Sequence, residues 1–339
     1  MPTFSFSKLV PGGNPTLILL EPEVAPEGLP ALSSRLMDPM HIQAEQVGAL
    51  YGPAQAPPSL SGTRPHLPHL QMMGGEFCVN ATRCAALLLA GQGRLRRASA
   101  SGGACDVLTG ALTVSGMDRP VPVLTAPTQT DIETALASVS VWTEANDAGR
   151  FPSRPDSTRA AQVSSACCAA RIACAAPEVR CIALRQGVTL VAMPGIRHLL
   201  VDTALHPLPD LRSSSWKEAG ALWRASCGIT DAPASGVVWY ERRGKGYGIW
   251  PAVHVAATGS ECLESACGSA SLAMALMHHL TGREGWGHRK KSLSVIEIMQ
   301  PSGESLRVLC APSPSSPEEA WISGVVRLVA RGTAYVSGE

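Results

Sequence analysis

The sequence predicts an α/β (α+β) chain built from two pseudo-equivalent domains. Three observations carry that reading. At roughly 150 residues per domain, 339 residues make about two domains, each able to bury its own core. A hydrophobic fraction of 45% is a globular composition, not a disordered one. And one order of features occurs twice: strand, Pro-Gly turn, strand, then a cysteine in a small-residue loop, then an apolar helix.

Residues 4–21 read as strand, turn, strand, with Pro11-Gly12-Gly13-Asn14-Pro15 as the turn. Residues 52–69 are rich in Pro, Ser, Gly and His and read as a surface loop. Residues 83–90 are Ala/Leu-rich, a buried helix that ends at Gly91. Residues 143–160 are polar, with Pro152 and Pro155, and read as a linker or insertion. An Ala-rich helix is expected over 158–176. Strands follow at 181–184 and 188–191. The turn Met193-Pro194-Gly195-Ile196-Arg197 leads to a strand at 198–201. Residues 215–227 are helical. A hairpin joins 237–240 to 249–255 through Arg243-Gly244-Lys245-Gly246, and a second apolar helix runs over 271–280. Each cysteine helix is followed by a Ser-Gly pair, Ser101-Gly102 and Ser302-Gly303.

Charge excludes some function classes. Lys plus Arg is 28 against 27 for Asp plus Glu, so no general attraction exists for nucleic acid or an anionic membrane. Aromatic residues at 4% leave little for base stacking. The opening residues Met1 to Lys8 lack a basic segment followed by a long apolar one, and runs such as Leu17-Ile18-Leu19-Leu20 are too short to cross a bilayer. The expectation is a cytoplasmic protein whose 11 cysteines are thiols.

Cys78 and Cys267 stand apart, because each lies where a turn enters a helix. A helix N-terminus lowers a thiol pKa, and its first-turn N–H groups bind a carboxylate. Gly74 and Gly75 on one side, and Gly268, Ser269 and Ala270 on the other, let a ligand approach closely. Two such sites supply what inversion at an amino-acid α-carbon needs. One thiolate removes the proton, and the other thiol delivers one to the opposite face. Domain closure would exclude water from that chemistry. Cys84, Cys181, Cys227 and Cys310 are expected to be core packing.

Phe77-Cys78-Val79-Asn80-Ala81-Thr82-Arg83-Cys84 resembles the Cys-Gly-Asn-(Gly/Ala)-x-Arg-Cys motif of the diaminopimelate epimerase family, and Ala266-Cys267-Gly268-Ser269-Ala270 resembles that family's second motif. The chain is more similar to the histidine racemases of staphylopine-type metallophore biosynthesis. That resemblance rests on Phe6-Ser7-Lys8, Pro11-x-Gly13-Asn14, Glu45-Gln46-Val47-Gly48, Glu76-Phe77-Cys78-x-Asn80-Ala81-Thr82, Glu264-x-x-Cys267-Gly268-Ser269 and Gln300-Pro301-x-Gly303. It implies two diaminopimelate-epimerase-like domains, each a curved, mostly antiparallel sheet around a central helix. It implies racemisation by two thiols with no cofactor, no pyridoxal phosphate and no metal. By the same resemblance Cys78 and Cys267 are the catalytic bases. Asn14, Glu45, Val79, Asn80, His198, Glu264, Gly268 and Ser269 are the substrate-binding positions. An acid at Glu45 suits an ammonium or imidazole, and equally reads as a solvated strand-end carboxylate. His198 reads as a site-lining or a structural histidine.

The departures bear on substrate. Val79 and Ala270 replace glycines, Gly195-Ile196-Arg197-His198 lacks the asparagine of the epimerase motif, and Thr258-Gly259 stands where that family has Glu-Arg. In the family that asparagine and the Glu-Arg pair recognise the distal end of diaminopimelate, so a smaller substrate is expected, L-histidine first. Diaminopimelate or another amino or imino acid is the alternative, and a non-catalytic amino-acid-binding protein the further one. The expected domains are 1–125 carrying Cys78, completed by a C-terminal strand at 328–339, and 126–327 carrying Cys267 with an insertion near 143–180. The expected partner is a small amino acid, with no nucleic acid, no membrane and a homodimer as an option. Cys167-Cys168, Cys174 and Cys181 lack metal-ligand spacing. Gly244-Lys245-Gly246-Tyr247-Gly248 precedes a strand, so it reads as a hairpin turn and not a phosphate loop. Trp216, Trp223, Trp239 and Trp250 read as core, and His278-His279 as a helix end.

Overall fold

A computed structural model describes residues 2–53, 66–98, 106–137, 163–174, 179–193, 195–256, 259–281, 293–310 and 319–336. The chain forms two compact units, Met1–Arg171 with Ser323–Glu339, and Ile172–Ile322. The fold is mixed α+β and dominated by sheet.

The first unit contains β1 (Thr3–Pro11), β2 (Thr16–Leu20), α1 (Leu29–Met37), β3 (Gln46–Tyr51), β4 (His69–Met72), α2 (Val79–Gly91), β5 (Arg96–Arg97), β6 (Leu108–Val114), β7 (Val121–Ala126), α3 (Gln129–Ala137) and β8 (Ser165–Ala173). The second contains β9 (Arg180–Arg185), β10 (Val188–Met193), β11 (Ile196–Asp202), α4 (Ser215–Ser226), β12 (Ala234–Arg243), β13 (Gly246–Val255), β14 (Ser260–Leu263), α5 (Gly268–Thr281), β15 (Ser294–Met299) and β16 (Ser305–Cys310). The last strand, β17 (Glu319–Tyr335), starts in the second unit and runs on into the first.

The strands of the first unit close on themselves. β1 pairs with β2, β2 with β3 in parallel, β3 with β4, β4 with β6 in parallel, β6 with β7 and β7 with β8. β17 pairs with β8 on one side and with β1 on the other, Ser5 opposite Thr333, which completes an eight-stranded barrel without an open edge. α2 fills it, packing on β1, β2, β3 and β7, with every residue from Val79 to Ala90 buried. A helix buried on every face is one surrounded by protein. Leu87, Leu88 and Leu89 are at most 4% exposed, and each such burial is worth about 2 kcal/mol.

The second unit is also dominated by sheet. β10 pairs with β11, β11 with β12 in parallel, β12 with β13, β13 with β15 in parallel, and β15 with β16. β9 joins beside β10 and β14 beside β13. The sheet wraps α5, which touches β9, β10, β11, β13, β15 and β16. α1 and α4 are the crossovers that make β2/β3 and β11/β12 parallel, as an intervening helix allows.

The hairpin at residues 4–21 forms as read. Gly12 and Gly13 have φ of 71° and 101°, so the Pro-Gly-Gly turn needs residues without a Cβ. The helix expected over 158–176 is instead a strand over Ser165–Ala173, β8. Alanine's helix propensity is a weak preference that a barrel position overrides. Small Ala and Cys side chains let this strand pass close to α2, where Arg83 Nε donates to the Cys168 carbonyl at 3.0 Å. Residues 163–171 fall in the first unit, beyond the 125/126 boundary expected from the sequence; the β7–β8 ladder, Val123 opposite Ala170, is the tie. The polar stretch 143–160, the Ser101-Gly102 pair and most of the 52–69 loop lie outside the described residues. Cys84 and Cys310 are core, but Cys181 and Cys227 are only half-buried, because Cys181 sits on a strand paired on one side and Cys227 caps the end of α4. Trp216 and Trp239 are buried, and Trp223 and Trp250 pack half-buried against the same cluster. No helix among the described residues is long and apolar enough to cross a membrane.

Candidate active site

Both cysteine helices begin one turn earlier than their apolar runs suggested. Cys78 is the N-cap of α2, and Cys267 directly precedes the first residue of α5. The motif residues therefore lie in the first helical turn, where N–H groups have no intrahelical partner.

The two caps have the same local chemistry. The Ala81 N–H lies 3.4 Å from Cys78 Sγ, and the Ala270 N–H lies 3.4 Å from Cys267 Sγ. Thr82 Oγ1 donates to the Cys78 carbonyl at 2.8 Å, and Ser271 Oγ to the Cys267 carbonyl at 2.7 Å. Each sulfur thus meets a backbone donor at the positive end of a helix, an arrangement that favours a thiolate.

The surroundings differ. Cys78 is half-buried, and its thiol donates to Gln46 Oε1 at 2.9 Å. In the same unit Asn14 is fully buried, donates Nδ2 to Glu45 Oε2 at 2.8 Å and accepts from Thr16 Oγ1 at 3.0 Å. Glu45 is therefore a half-buried partner of Asn14 and not simply a solvated strand end. Asn80 is buried and accepts from Arg83 Nη1 at 3.3 Å. Val79 is 4% exposed, so its side chain has turned into the core, away from open space.

Cys267 is 3% exposed. Burial pushes its thiol well above the usual range, and the neighbouring Glu264 carboxylate pushes it further; the Ser269 hydroxyl and the Ala270 N–H act in the opposite direction. Gln300 Oε1 accepts the Cys267 N–H at 2.9 Å, and Gln300 Nε2 donates to Ser271 Oγ at 3.0 Å. Ser269 Oγ lies 3.3 Å from Cys267 Sγ and 3.0 Å from Nε2 of His198. His198 is fully buried, and that burial lowers its pKa to about 3, so it is a neutral imidazole.

In the first unit Cys78 sits with Gln46 and Asn14 with Glu45; in the second, Cys267 gathers Glu264, Ser269 and, through Ser269, His198. Gly268 is buried in the first turn of α5. Sequence reasoning assigned no role to Gln46, Thr82, Arg83, Ser271 or Gln300, although Gln46 and Gln300 stand inside motifs it had singled out. Arg83, fully buried, bonds β8 and β17 carbonyls and Asn80, tying the helix to the barrel that surrounds it. Among the described residues no group of three or more His, Cys, Asp or Glu is placed to hold a metal ion.

Comparison with known proteins adds partial likenesses. Residues 3–141 match the family model described as the histidine racemase CntK N-terminal domain. A histidine racemase of Fusobacterium nucleatum subsp. nucleatum is 38% identical over 85 residues, 25% of this chain and 26% of that protein. The match thus spans about a quarter of the length of the curated relative. Among solved structures, a Bacillus anthracis phenazine biosynthesis protein of the PhzF family has a TM-score of 0.57 at 10% identity, covering 99% of this chain and 100% of that one. A hydroxyproline epimerase from Agrobacterium vitis, solved with bound trans-4-hydroxy-L-proline, has a TM-score of 0.54 at 10% identity, covering 98% and 92%. At such identity these structures show the fold alone. Residues 3–141 are thus similar to a histidine racemase N-terminal domain, within a chain whose fold is that of the PhzF protein and the hydroxyproline epimerase.

Proposed function

We propose that this chain is an isomerase, a cofactor-independent amino-acid racemase that interconverts L- and D-histidine with Cys78 and Cys267 as its two bases. The observation that carries the reading is the matched pair of caps, with a backbone N–H 3.4 Å from each sulfur. A single reactive cysteine would not need a second copy of that geometry. The family match of residues 3–141 and the histidine racemase relative support the substrate. The repeated element order supports reading the units as pseudo-symmetric copies of one diaminopimelate-epimerase-like domain.

In this reading the substrate carboxylate binds to first-turn N–H groups at a cysteine helix. The same donors stabilise the enolate-like charge that develops as the α-proton leaves. Cys267, held protonated by burial and Glu264, is the acid. Cys78 is the base that takes the α-proton, while Cys267 delivers its proton to the opposite face. The reverse direction exchanges the roles, and Glu264 accepts the thiol proton when Cys267 must act as the thiolate. Glu45, which accepts from Asn14, is the acid that meets the imidazole or ammonium of the substrate in this reading. D-histidine made this way is a building block for an opine-type metallophore.

Solvent exchange tests the proposal. Histidine incubated in D2O should gain α-deuterium and racemise, ahead of other L-amino acids and diaminopimelate in a chiral assay. Cys78→Ser and Cys267→Ser should each abolish turnover, and hydroxylamine, a pyridoxal trap, should leave it unchanged. Full activity in either serine variant would refute the two-thiol mechanism.

A further inference from the structure

We infer that His198 is a positioning residue that points the Ser269 hydroxyl proton at Cys267 Sγ. This rests on the reading of Cys267 as a working thiol, and it concerns how that sulfur is held once it has given up its proton.

The geometry is a three-member chain, His198 Nε2 to Ser269 Oγ at 3.0 Å and Ser269 Oγ to Cys267 Sγ at 3.3 Å. Its direction follows from the far side of the ring. His198 is fully buried, and among the described residues its Nδ1 has no hydrogen-bond partner. A buried N–H without an acceptor is costly, and a bare ring nitrogen lone pair costs less. The neutral ring therefore carries its proton on Nε2 and donates it to Ser269 Oγ. The serine oxygen is then an acceptor toward His198, and its one proton is left to face the sulfur. Burial keeps the imidazole neutral to about pH 3, so the ring stays in this state throughout the working range.

A hydroxyl donor matters at this sulfur in particular. Cys267 is 3% exposed, so its thiolate has little water to solvate it, and Glu264 is the carboxylate that acts against it. Ser269 O–H and Ala270 N–H are the two donors that act for it. The seat of the ring is itself prepared. Gly236 on β12 lies opposite His198 on β11, and a Cβ there would overlap Nδ1 and stand 2.7 Å from Cε1.

The test uses the full chain. The Cys267 thiolate is titrated by its ultraviolet absorbance, with Cys267→Ser as the blank, in wild type, Ser269→Ala, His198→Leu, their double variant and His198→Gln. The expected result is that Ser269→Ala and His198→Leu each raise the Cys267 midpoint by about one pH unit, a tenfold loss of thiolate. The double variant rises no further than either single one. His198→Gln, with an amide N–H near the Nε2 position, returns the midpoint toward wild type. If the leucine variant does not fold, His198→Asn, too short to reach Ser269, takes its place. An unmoved midpoint, or additive shifts in the double variant, would overturn the inference. α-Deuteration of histidine is followed in the same samples. A moved midpoint in a protein that exchanges no α-proton leaves the relay standing and strikes the racemase reading. Normal exchange with an unmoved midpoint strikes the relay alone.

Discussion

Gly236→Ala isolates one steric fact about the second unit. Gly236 does not have a left-handed backbone, so alanine fits its conformation. Replacing glycine at such a position stabilises by about 0.4–1 kcal/mol where space allows. Space does not allow it here, because the new methyl overlaps His198 Nδ1, stands 2.7 Å from Cε1 and 3.5 Å from Cγ, and the ring is fully buried. Overpacking of this kind costs about 1–3 kcal/mol, which leaves a net loss of about 1–2 kcal/mol. In a unit of about 150 residues that lowers Tm by roughly 3–6 °C. The assay is thermal unfolding by circular dichroism in a double-mutant cycle with His198→Ala. His198→Ala opens a cavity that the Gly236→Ala methyl partly fills. Gly236→Ala should thus destabilise the wild type and be neutral or stabilising in the His198→Ala background. Equal cost in both backgrounds would refute the packing argument.

The pH dependence of stability has a definite sign. An unfolded histidine takes up its proton near pH 6.5, whereas native His198 stays neutral to about pH 3 and His279 to about pH 4. Stability is therefore fully present above about pH 6.5 and falls as pH drops toward 3, by up to about 1.4 kcal/mol per pH unit for each group. Urea midpoints across that range should flatten by one such increment in His198→Gln, and parallel wild-type and variant curves would contradict the assignment. Arg224 and Glu261 form a pair at 2.5 Å with side chains 7% and 16% exposed. Glu261→Gln should cost about 2 kcal/mol in chemical denaturation, and the apolar double variant Arg224→Met with Glu261→Leu should cost less than that single change. Gln46→Leu removes the acceptor of the Cys78 thiol, and histidine α-deuteration should fall about tenfold with the melting temperature unchanged. Equal activity would show that Gln46 does not orient the thiol.

Local signals were legible where they depend on neighbours in the chain. The Pro-Gly-Gly turn, the β12–β13 hairpin and both apolar helices could be read, because turn residues and apolar runs act over a few positions. β8 could not. Its Ala-Cys run has helical propensity, and only the ladder to β7 and β17 makes it a strand. The same division holds at the site. Cys78 and Cys267 stood out by their small-residue, helix-entry context. Gln46 and Gln300 lie 32 and 33 residues from the cysteines they serve, and no spacing rule connects them.

The sequence by itself determined that two cysteines cap two apolar helices. It did so because capping is a contact between residues three or four apart. Only the tertiary structure decided how each thiol is treated. Barrel closure by β17 buries α2, while the curved sheet of the second unit brings His198 of β11 against Ser269. Desolvation and proton direction depend on everything packed around a group, and that environment is assembled from strands far apart in the chain.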